Sequence, residues 1–164
     1  MKIAIMSDSH DRWDHLESAI NIANQNQCEY LLFAGDLIAP PGISILEKFA
    51  GKVIFIWGNN EGEKMGMTRM MDASEKITLH NYVYEGVIDQ IKIHMNHYPE
   101  PEHDAASSDK YDLCVFGHTH ETHQETIGNT LLVNPGEIQG YKTGKSTFMI
   151  YDSSTKKAEV INTQ

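Results

Sequence analysis

The 164-residue sequence has little cysteine, little arginine and no long hydrophobic run. Only two arginines, Arg12 and Arg69, are present, and 23 acidic against 13 basic residues give a net charge of −10. The chain therefore lacks the basic surface that binds duplex nucleic acid. The two cysteines, Cys28 and Cys114, are expected to be free buried thiols rather than a disulfide. Apolar runs such as Val53–Trp57 are too short to cross a bilayer.

The composition is that of an ordinary globular protein, with 40% hydrophobic, 9% aromatic and 22% charged residues. A chain of this length fits one domain, so we expect residues 1–164 to form a single domain. The first residues, MKIAIMSDSH, reach a charged residue before a signal-peptide hydrophobic region could form. We therefore expect a cytoplasmic protein without a membrane partner.

The first half of the chain alternates short strands with helical segments, which is typical of βαβ units and a parallel sheet. In the first helix the apolar residues recur at intervals of three and four, with Asp14 as the expected N-cap. The predicted strands are Lys2–Met6, Tyr30–Ala34 and Lys52–Trp57, and the predicted helices are Asp14–Asn26, Ile43–Ala50 and Glu61–Asp72.

The second half is predicted to be mostly β-structure, with a loop or short helix over Pro99–Lys110. This pattern favours two packed sheets with flanking helices. The predicted strands are Lys76–Leu79, Tyr82–Glu85, Val87–Asn96, Leu113–Phe116, Thr122–Ile127, Leu131–Val133, Thr147–Tyr151 and Ala158–Ile161.

Five predicted strands end in residues that can bind metal ions. Each residue alone has a structural explanation: Asp36 could cap a helical segment, Asn59 could form a turn, and His97 could be a hydrogen-bonded core histidine. Because ligands of open α/β sheets gather outside the carboxyl ends of the strands, their joint occurrence predicts a site at that edge. The strand ends carry Asp8-Ser9-His10, Gly35-Asp36, Gly58-Asn59-Asn60, His97 and Gly117-His118-Thr119-His120.

This order of motifs resembles the calcineurin-like metallophosphoesterases along nearly the whole chain. The short length is similar to the small bacterial and archaeal phosphodiesterase branch, which is related to the scaffold subunit of the retromer coat. The resemblance implies an α/β protein of mixed α+β character, a four-layer αββα sandwich of two mixed β-sheets flanked by helices. It also implies two metal ions, the first held by Asp8, His10, Asp36 and His120 and the second by Asp36, Asn59, His97 and His118.

The chemistry of these residue types agrees with that implication. Mixed imidazole and oxygen donors suit manganese, the first expectation, or nickel, iron and zinc better than magnesium or calcium. Two divalent ions and two aspartates leave a site charge of about +2, which a phosphate would neutralise. The expected activity is phosphodiester hydrolysis by a hydroxide that bridges the two ions, with Asp36, Asn59 and His118 as catalytic residues.

The sequence departs from the family pattern at two positions. Asn60 stands where many members have a histidine that protonates the leaving group, so we expect low activity on esters with poor leaving groups. Glu137 follows Asn134-Pro135-Gly136, at a position where a small hydroxyl residue is common. Asn60 and Arg12 are the candidate substrate contacts, and Glu61 is a candidate for orienting a ligand.

The expected partner is a small phosphoester. A phosphomonoesterase, or a non-catalytic metal-binding scaffold of the same fold, is the alternative function. Relatives of this size often form dimers or tetramers, so a homodimer or homotetramer is compatible with the resemblance. Among the other histidines, His94 should face away from His97, while His15, His80, His103 and His123 should lie at the surface or in turns.

Overall fold

The computed structural model describes residues 1–164 as two β-sheets with four α-helices. The elements are β1 (Lys2–Met6), α1 (Trp13–Gln25), β2 (Tyr30–Phe33), α2 (Pro40–Leu46), β3 (Lys52–Phe55), α3 (Lys64–Asp72), β4 (Ile77–Leu79), β5 (Val83–Ile88), β6 (Ile91–Asn96), α4 (Pro99–Ser107), β7 (Leu113–Val115), β8 (Thr122–Ile127), β9 (Thr130–Pro135), β10 (Thr147–Asp152) and β11 (Lys157–Asn162).

Both sheets are mixed, as the resemblance implied. The six-stranded sheet has the order β11-β10-β1-β2-β3-β4, in which β1 to β4 run parallel and β10 pairs antiparallel with β1. The five-stranded sheet has the order β5-β6-β7-β9-β8, with β6, β7 and β9 parallel. The carboxyl ends of β1, β2 and β3 therefore lie at one edge of the first sheet.

The alternation of residues along β1 divides the core into layers. Ala4 and Met6 belong to a cluster of 23 buried residues that includes the apolar face of α1, whereas Ile3 and Ile5 belong to a cluster of 17 between the two sheets. A smaller cluster with Ala106 packs α4 on the other face of the second sheet. The order of layers is helices, sheet, sheet, helix, which confirms the αββα sandwich.

Several local expectations are wrong. The predicted strand Val87–Asn96 contains the end of β5, a turn and all of β6, because Asp89 and Gln90 both adopt left-handed backbone conformations and reverse the chain between the two strands. The second helix is Pro40–Leu46 rather than Ile43–Ala50, with proline at its first positions. The third helix begins at Lys64 rather than Glu61, because Glu63 caps it. Asp14 is not the N-cap of α1: it lies in the first turn, after Arg12.

The two cysteines are buried and free, as predicted. Cys28 belongs to the cluster beneath α1 and Cys114 to the cluster beneath α4. The two sheets therefore separate the thiols. None of the four helices has the length and hydrophobicity that a membrane crossing requires.

Candidate metal centre

The seven predicted site residues follow the ends of β1, β2, β3, β6 and β7, and the fold brings them together. Backbone hydrogen bonds connect these segments: the Asp8 amide donates to the Gly35 carbonyl at 3.0 Å, and the Gly117 amide donates to the His97 carbonyl at 3.0 Å. The first bond joins neighbouring segments beside β1 and β2. The second joins those beside β6 and β7.

One half of the centre contains Asp8, His10 and His120. Asp8 Oδ1 lies 3.7 Å from His10 Nε2 and 3.4 Å from His120 Nε2. The two imidazole rings are stacked with their centroids 5.1 Å apart. Three donor atoms, one from each residue, lie within 4.8 Å of one another, a spacing that suits one metal ion.

The other half contains Asn59, His97 and His118. Asn59 Oδ1 lies 2.9 Å from His97 Nε2 and 2.9 Å from His118 Nδ1. Asp36 lies between the two halves, since its Oδ2 is 3.4 Å from His10 Nε2 and 3.5 Å from His97 Nε2. Its carboxylate can therefore contribute to both groups of donors.

The hydrogen-bonding state of the donors fits metal ions. Asp8 Oδ1 and His10 Nε2 are buried and have no hydrogen-bond partner. The other Asp8 oxygen, Oδ2, accepts bonds from the Ser7 hydroxyl at 2.6 Å and from the His118 amide at 3.1 Å. Because an unpaired buried polar atom costs about 1–3 kcal/mol, the free atoms are explained well by an ion between them.

The backbone at the centre is strained. Five of its residues have left-handed φ angles that side chains rarely adopt: Asp8 (55°), His10 (39°), Asp36 (60°), His118 (64°) and His120 (69°). Each such residue costs about 1–3 kcal/mol, and such strain clusters where side chains must be aimed at a ligand. The fold tolerates this cost at residues that share one site.

Two glycines allow the segments to approach each other. A Cβ atom at Gly58 would overlap the Asp36 carboxylate, and a Cβ atom at Gly117 would overlap the Ser7 hydroxyl. The glycines of the Gly-Asn and Gly-His motifs are therefore required because the Asp36 carboxylate and the Ser7 hydroxyl pack against them.

Hydrogen bonds behind the imidazoles leave their Nε2 atoms free to bind an ion. His97 Nδ1 donates to the Ala34 carbonyl at 2.7 Å, and His120 Nδ1 donates to Glu137 Oε2 at 2.7 Å. A donor bond at Nδ1 fixes the tautomer whose lone pair is on Nε2. This geometry applies to one histidine in each half of the centre.

Glu137, which the sequence marks only as a departure from the family pattern, contacts His120 of the centre directly. It is fully buried and also accepts bonds from the Thr143 amide at 2.7 Å and from Gln139 Nε2 at 2.9 Å. Burial raises the pKa of Glu137, but the bonds from Thr143, His120 and Gln139 outweigh it and lower the pKa below 4.5. The residue is therefore an anion that holds His120.

Asn60 and Glu61 hold Asp36 in place. Asn60 donates from its backbone amide to Asp36 Oδ1 and from its side chain to Asp36 Oδ2, both at 2.8 Å. Glu61 Oε1 accepts the Asp36 amide at 2.6 Å. The side-chain amide of Asn60, a candidate substrate contact, thus already has a partner within the centre.

Arg12, the other candidate substrate contact, lies two residues after His10. Its guanidinium donates to Asp14 at 3.1 Å and to the Gln139 carbonyl at 3.4 Å, and it stacks on the exposed ring of Tyr141 at 4.7 Å. These contacts hold the positive charge near the surface beside the metal centre.

The pKa directions follow the arrangement of charges. Burial raises the pKa of Asp36, but bonds from His97 and Asn60 outweigh it and hold the pKa well below its usual range. Burial lowers the pKa of His97, but the bond with Asp36 and the charges of Asp8 and Asp36 raise it by more, so the net shift of the pKa is upward. The pKa of His118 is lowered by burial and by His97.

The histidines outside the centre follow the prediction in part. His94 points to the face opposite His97, where Nδ1 lies 2.6 Å from the buried Glu102. His15 is not a surface residue, because its side chain is only 13% exposed and contacts the Ile138 carbonyl at 3.1 Å. His103 is exposed, and His80 and His123 are half-buried.

Comparison with known proteins extends over the whole centre. Residues 1–156 match the model of the calcineurin-like phosphoesterase superfamily domain. The chain is 33% identical over 160 residues to a phosphodiesterase of Methanocaldococcus jannaschii, with 96% of both proteins covered.

Solved structures agree with this match. The structure of an archaeal phosphodiesterase superposes with a TM-score of 0.92 at 33% identity, covering 99% of both chains. The phosphoesterase Yfce from E. coli (TM-score 0.72, 17% identity, all of both chains) shares the fold. Vacuolar protein sorting 29 from Cryptosporidium parvum (TM-score 0.70, 15% identity, 98% of this chain and 95% of that one) shares it too. The chain belongs to the calcineurin-like phosphoesterase superfamily.

Proposed function

We propose that the protein is a metal-dependent phosphodiesterase with a centre for two divalent transition-metal ions. The observation that carries the proposal is the convergence of six donor residues around a seventh, Asp36. Two of them, Asp8 and His10, have buried side-chain atoms without a hydrogen-bond partner. This donor set occurs in a chain of the calcineurin-like phosphoesterase superfamily.

The two halves of the centre suggest how the ions are shared. The first ion is assigned to Asp8, His10, Asp36 and His120, and the second to Asp36, Asn59, His97 and His118. When bound, two such ions activate water as a nucleophile at neutral pH and stabilise negative charge on the phosphoryl oxygens. Manganese is our first choice, with nickel, iron and zinc as alternatives, because imidazoles supply four of the seven side chains.

The chain's own residues bind and orient the substrate. Asp8 and Asp36 are the only acidic donors of the centre, so the loaded site keeps positive charge for a phosphodiester anion. His118 has a lowered pKa and is neutral near pH 7, so it can act as a ligand. Asn60 fixes the Asp36 carboxylate and offers no proton to a leaving group, and Arg12 is our remaining candidate for a substrate contact.

The preference for diesters over monoesters is supported by the M. jannaschii relative, which is named a phosphodiesterase and matches almost the full chain. A small phosphodiester is the proposed substrate. The two buried free thiols are compatible with a reducing compartment, and we propose that the enzyme acts in the cytoplasm.

Hydrolysis after metal exchange tests the proposal. Protein stripped of metal and reloaded with Mn²⁺ should cleave bis(p-nitrophenyl) phosphate faster than p-nitrophenyl phosphate. Asp36→Asn should abolish this activity, whereas the exposed Asp72→Asn should leave it unchanged. Faster cleavage of the monoester would indicate a phosphatase. Full activity of Asp36→Asn, or no activity with Mn²⁺, Ni²⁺, Fe²⁺ or Zn²⁺, would contradict the proposal.

A further inference from the structure

A second group of metal-ligating side chains lies on the helix-covered face of the five-stranded sheet. It consists of His103 on α4 and His123 and Glu125 on β8. His123 and Glu125 are two residues apart in a strand, so their side chains point to the same face. One donor atom from each of the three residues lies within 4.8 Å of the others.

The hydrogen bonding of His123 resembles that of the donors in the first centre. His123 Nε2 is buried and has no hydrogen-bond partner, although the ring as a whole is 40% exposed. Its nearest acidic atom is Glu125 Oε2, at 3.4 Å. The structure thus leaves a ring nitrogen unpaired beside a carboxylate.

The surroundings also suit an ion. The buried ring of Phe116 lies 5.8 Å from the His123 ring and 6.3 Å from the His103 ring, and it forms an apolar floor. A surface pocket of about 240 Å³ borders both histidines, with the Glu121 carboxylate on its wall. The pocket leaves room for water. The negative charges of Glu121 and of the donor Glu125 favour a cation over an anion.

We propose that His103, His123 and Glu125 bind one divalent transition-metal cation of the zinc class. Two imidazoles and a carboxylate form a three-ligand set with an open fourth position, which zinc accepts. Ligand atoms at about 2.0–2.2 Å from a common ion lie at most about 4.4 Å apart, so the group closes with a small rotation of the exposed His103. The bound ion connects the edge strand β8 to α4.

This site shares no residue with the first centre. Its strand begins just after the loop that carries His118 and His120, and Thr119 of that loop lines the pocket. Because the donor sets are separate, the two proposals can fail independently. The test is therefore made in a variant that has lost both aspartates of the first centre.

Zinc binding to Asp8→Asn/Asp36→Asn protein tests the proposal. After chelation and equilibrium dialysis against Zn²⁺, elemental analysis should find one equivalent per chain. Adding His103→Gln and His123→Gln should remove it, whereas adding His80→Gln, a histidine outside both groups, should not. Loss of a residue that only orients a ligand typically weakens metal binding by about 10–100-fold, and loss of a ligand itself should weaken it more.

Cobalt spectroscopy provides a second measurement that does not depend on the folding of the quadruple variant. Co²⁺ added to the Asp8→Asn/Asp36→Asn protein should produce the intense visible bands of a four-coordinate ion, and Zn²⁺ should displace them. In otherwise unmodified protein, His103→Gln/His123→Gln should reduce zinc content by one equivalent. Absence of zinc and of these bands in the Asp8→Asn/Asp36→Asn protein would overturn the proposal, as would unchanged binding without the two histidines.

Discussion

Replacement of Glu137 by glutamine should weaken metal binding through His120. One Glu137 oxygen accepts both the Thr143 amide and the Thr143 hydroxyl, while the other accepts His120 Nδ1 and Gln139 Nε2. Glutamine keeps only one acceptor oxygen. If that oxygen stays with Thr143, the new NH₂ group faces the N–H of His120, and two donors oppose each other.

The imidazole can relieve this conflict by moving its proton to Nε2, but the proton then occupies the atom that binds the ion. Loss of such a partner typically weakens metal affinity by about 10–100-fold. At about 1.4 kcal/mol per tenfold change, the expected loss is about 1.4–2.8 kcal/mol. Diester hydrolysis should fall by a similar factor at limiting metal and recover in part at high metal.

Competition titration of metal-free protein with Mn²⁺ measures the affinity, and the exposed Glu159→Gln is the matched control. Urea unfolding of the metal-free Glu137→Gln protein shows separately how much stability is lost. Unchanged Mn²⁺ affinity in a folded Glu137→Gln protein would refute the role assigned to this carboxylate.

Three further results are expected. The hydrogen bond with Glu102 raises the pKa of His94 above 6.5. The free energy of unfolding that His94 adds relative to His94→Gln should therefore be complete below pH 6.5 and decline as the pH rises through the raised pKa. Urea unfolding of both proteins from about pH 6 to about pH 9 measures this difference, and a difference that grows with pH would contradict the prediction. Asn60→His should speed hydrolysis of an alkyl phosphodiester, because a histidine can protonate the leaving group; the gain should not exceed about 10²–10⁴-fold, the usual contribution of general acid catalysis. An unchanged rate would show that position 60 does not reach the leaving group. Ile38 has a φ of 84°, so Ile38→Asn should stabilise the protein by about 1 kcal/mol in thermal unfolding, and a lower Tm would contradict that reasoning.

The two packed sheets and the positions of the candidate ligands could be predicted because both depend on short-range patterns. Apolar runs such as Val53–Trp57 identify buried strands, and the polar residues that follow them must gather where parallel strands end. Asp36 and His97 are far apart in sequence, but each is placed by its own strand. The sequence therefore predicts the centre without knowledge of the exact sheet order.

Other features depend on contacts that no local pattern reveals. Asp89 and Gln90 adopt left-handed conformations within a run that alternates like one strand, so the sequence pattern does not reveal the turn between β5 and β6. Glu137 reaches His120 only because the segment after β9 folds back beneath the loop after β7. A glutamate directly after Asn134-Pro135-Gly136, where a small hydroxyl residue is common, is the one local signal that could have indicated its role.

Anomalous scattering from a crystal of the protein loaded with Mn²⁺ would locate the ions of the proposed centre. Two peaks are expected on either side of the Asp36 carboxylate, one beside Asp8, His10 and His120 and the other beside Asn59, His97 and His118. A single peak, or peaks outside these residues, would contradict the two-metal centre.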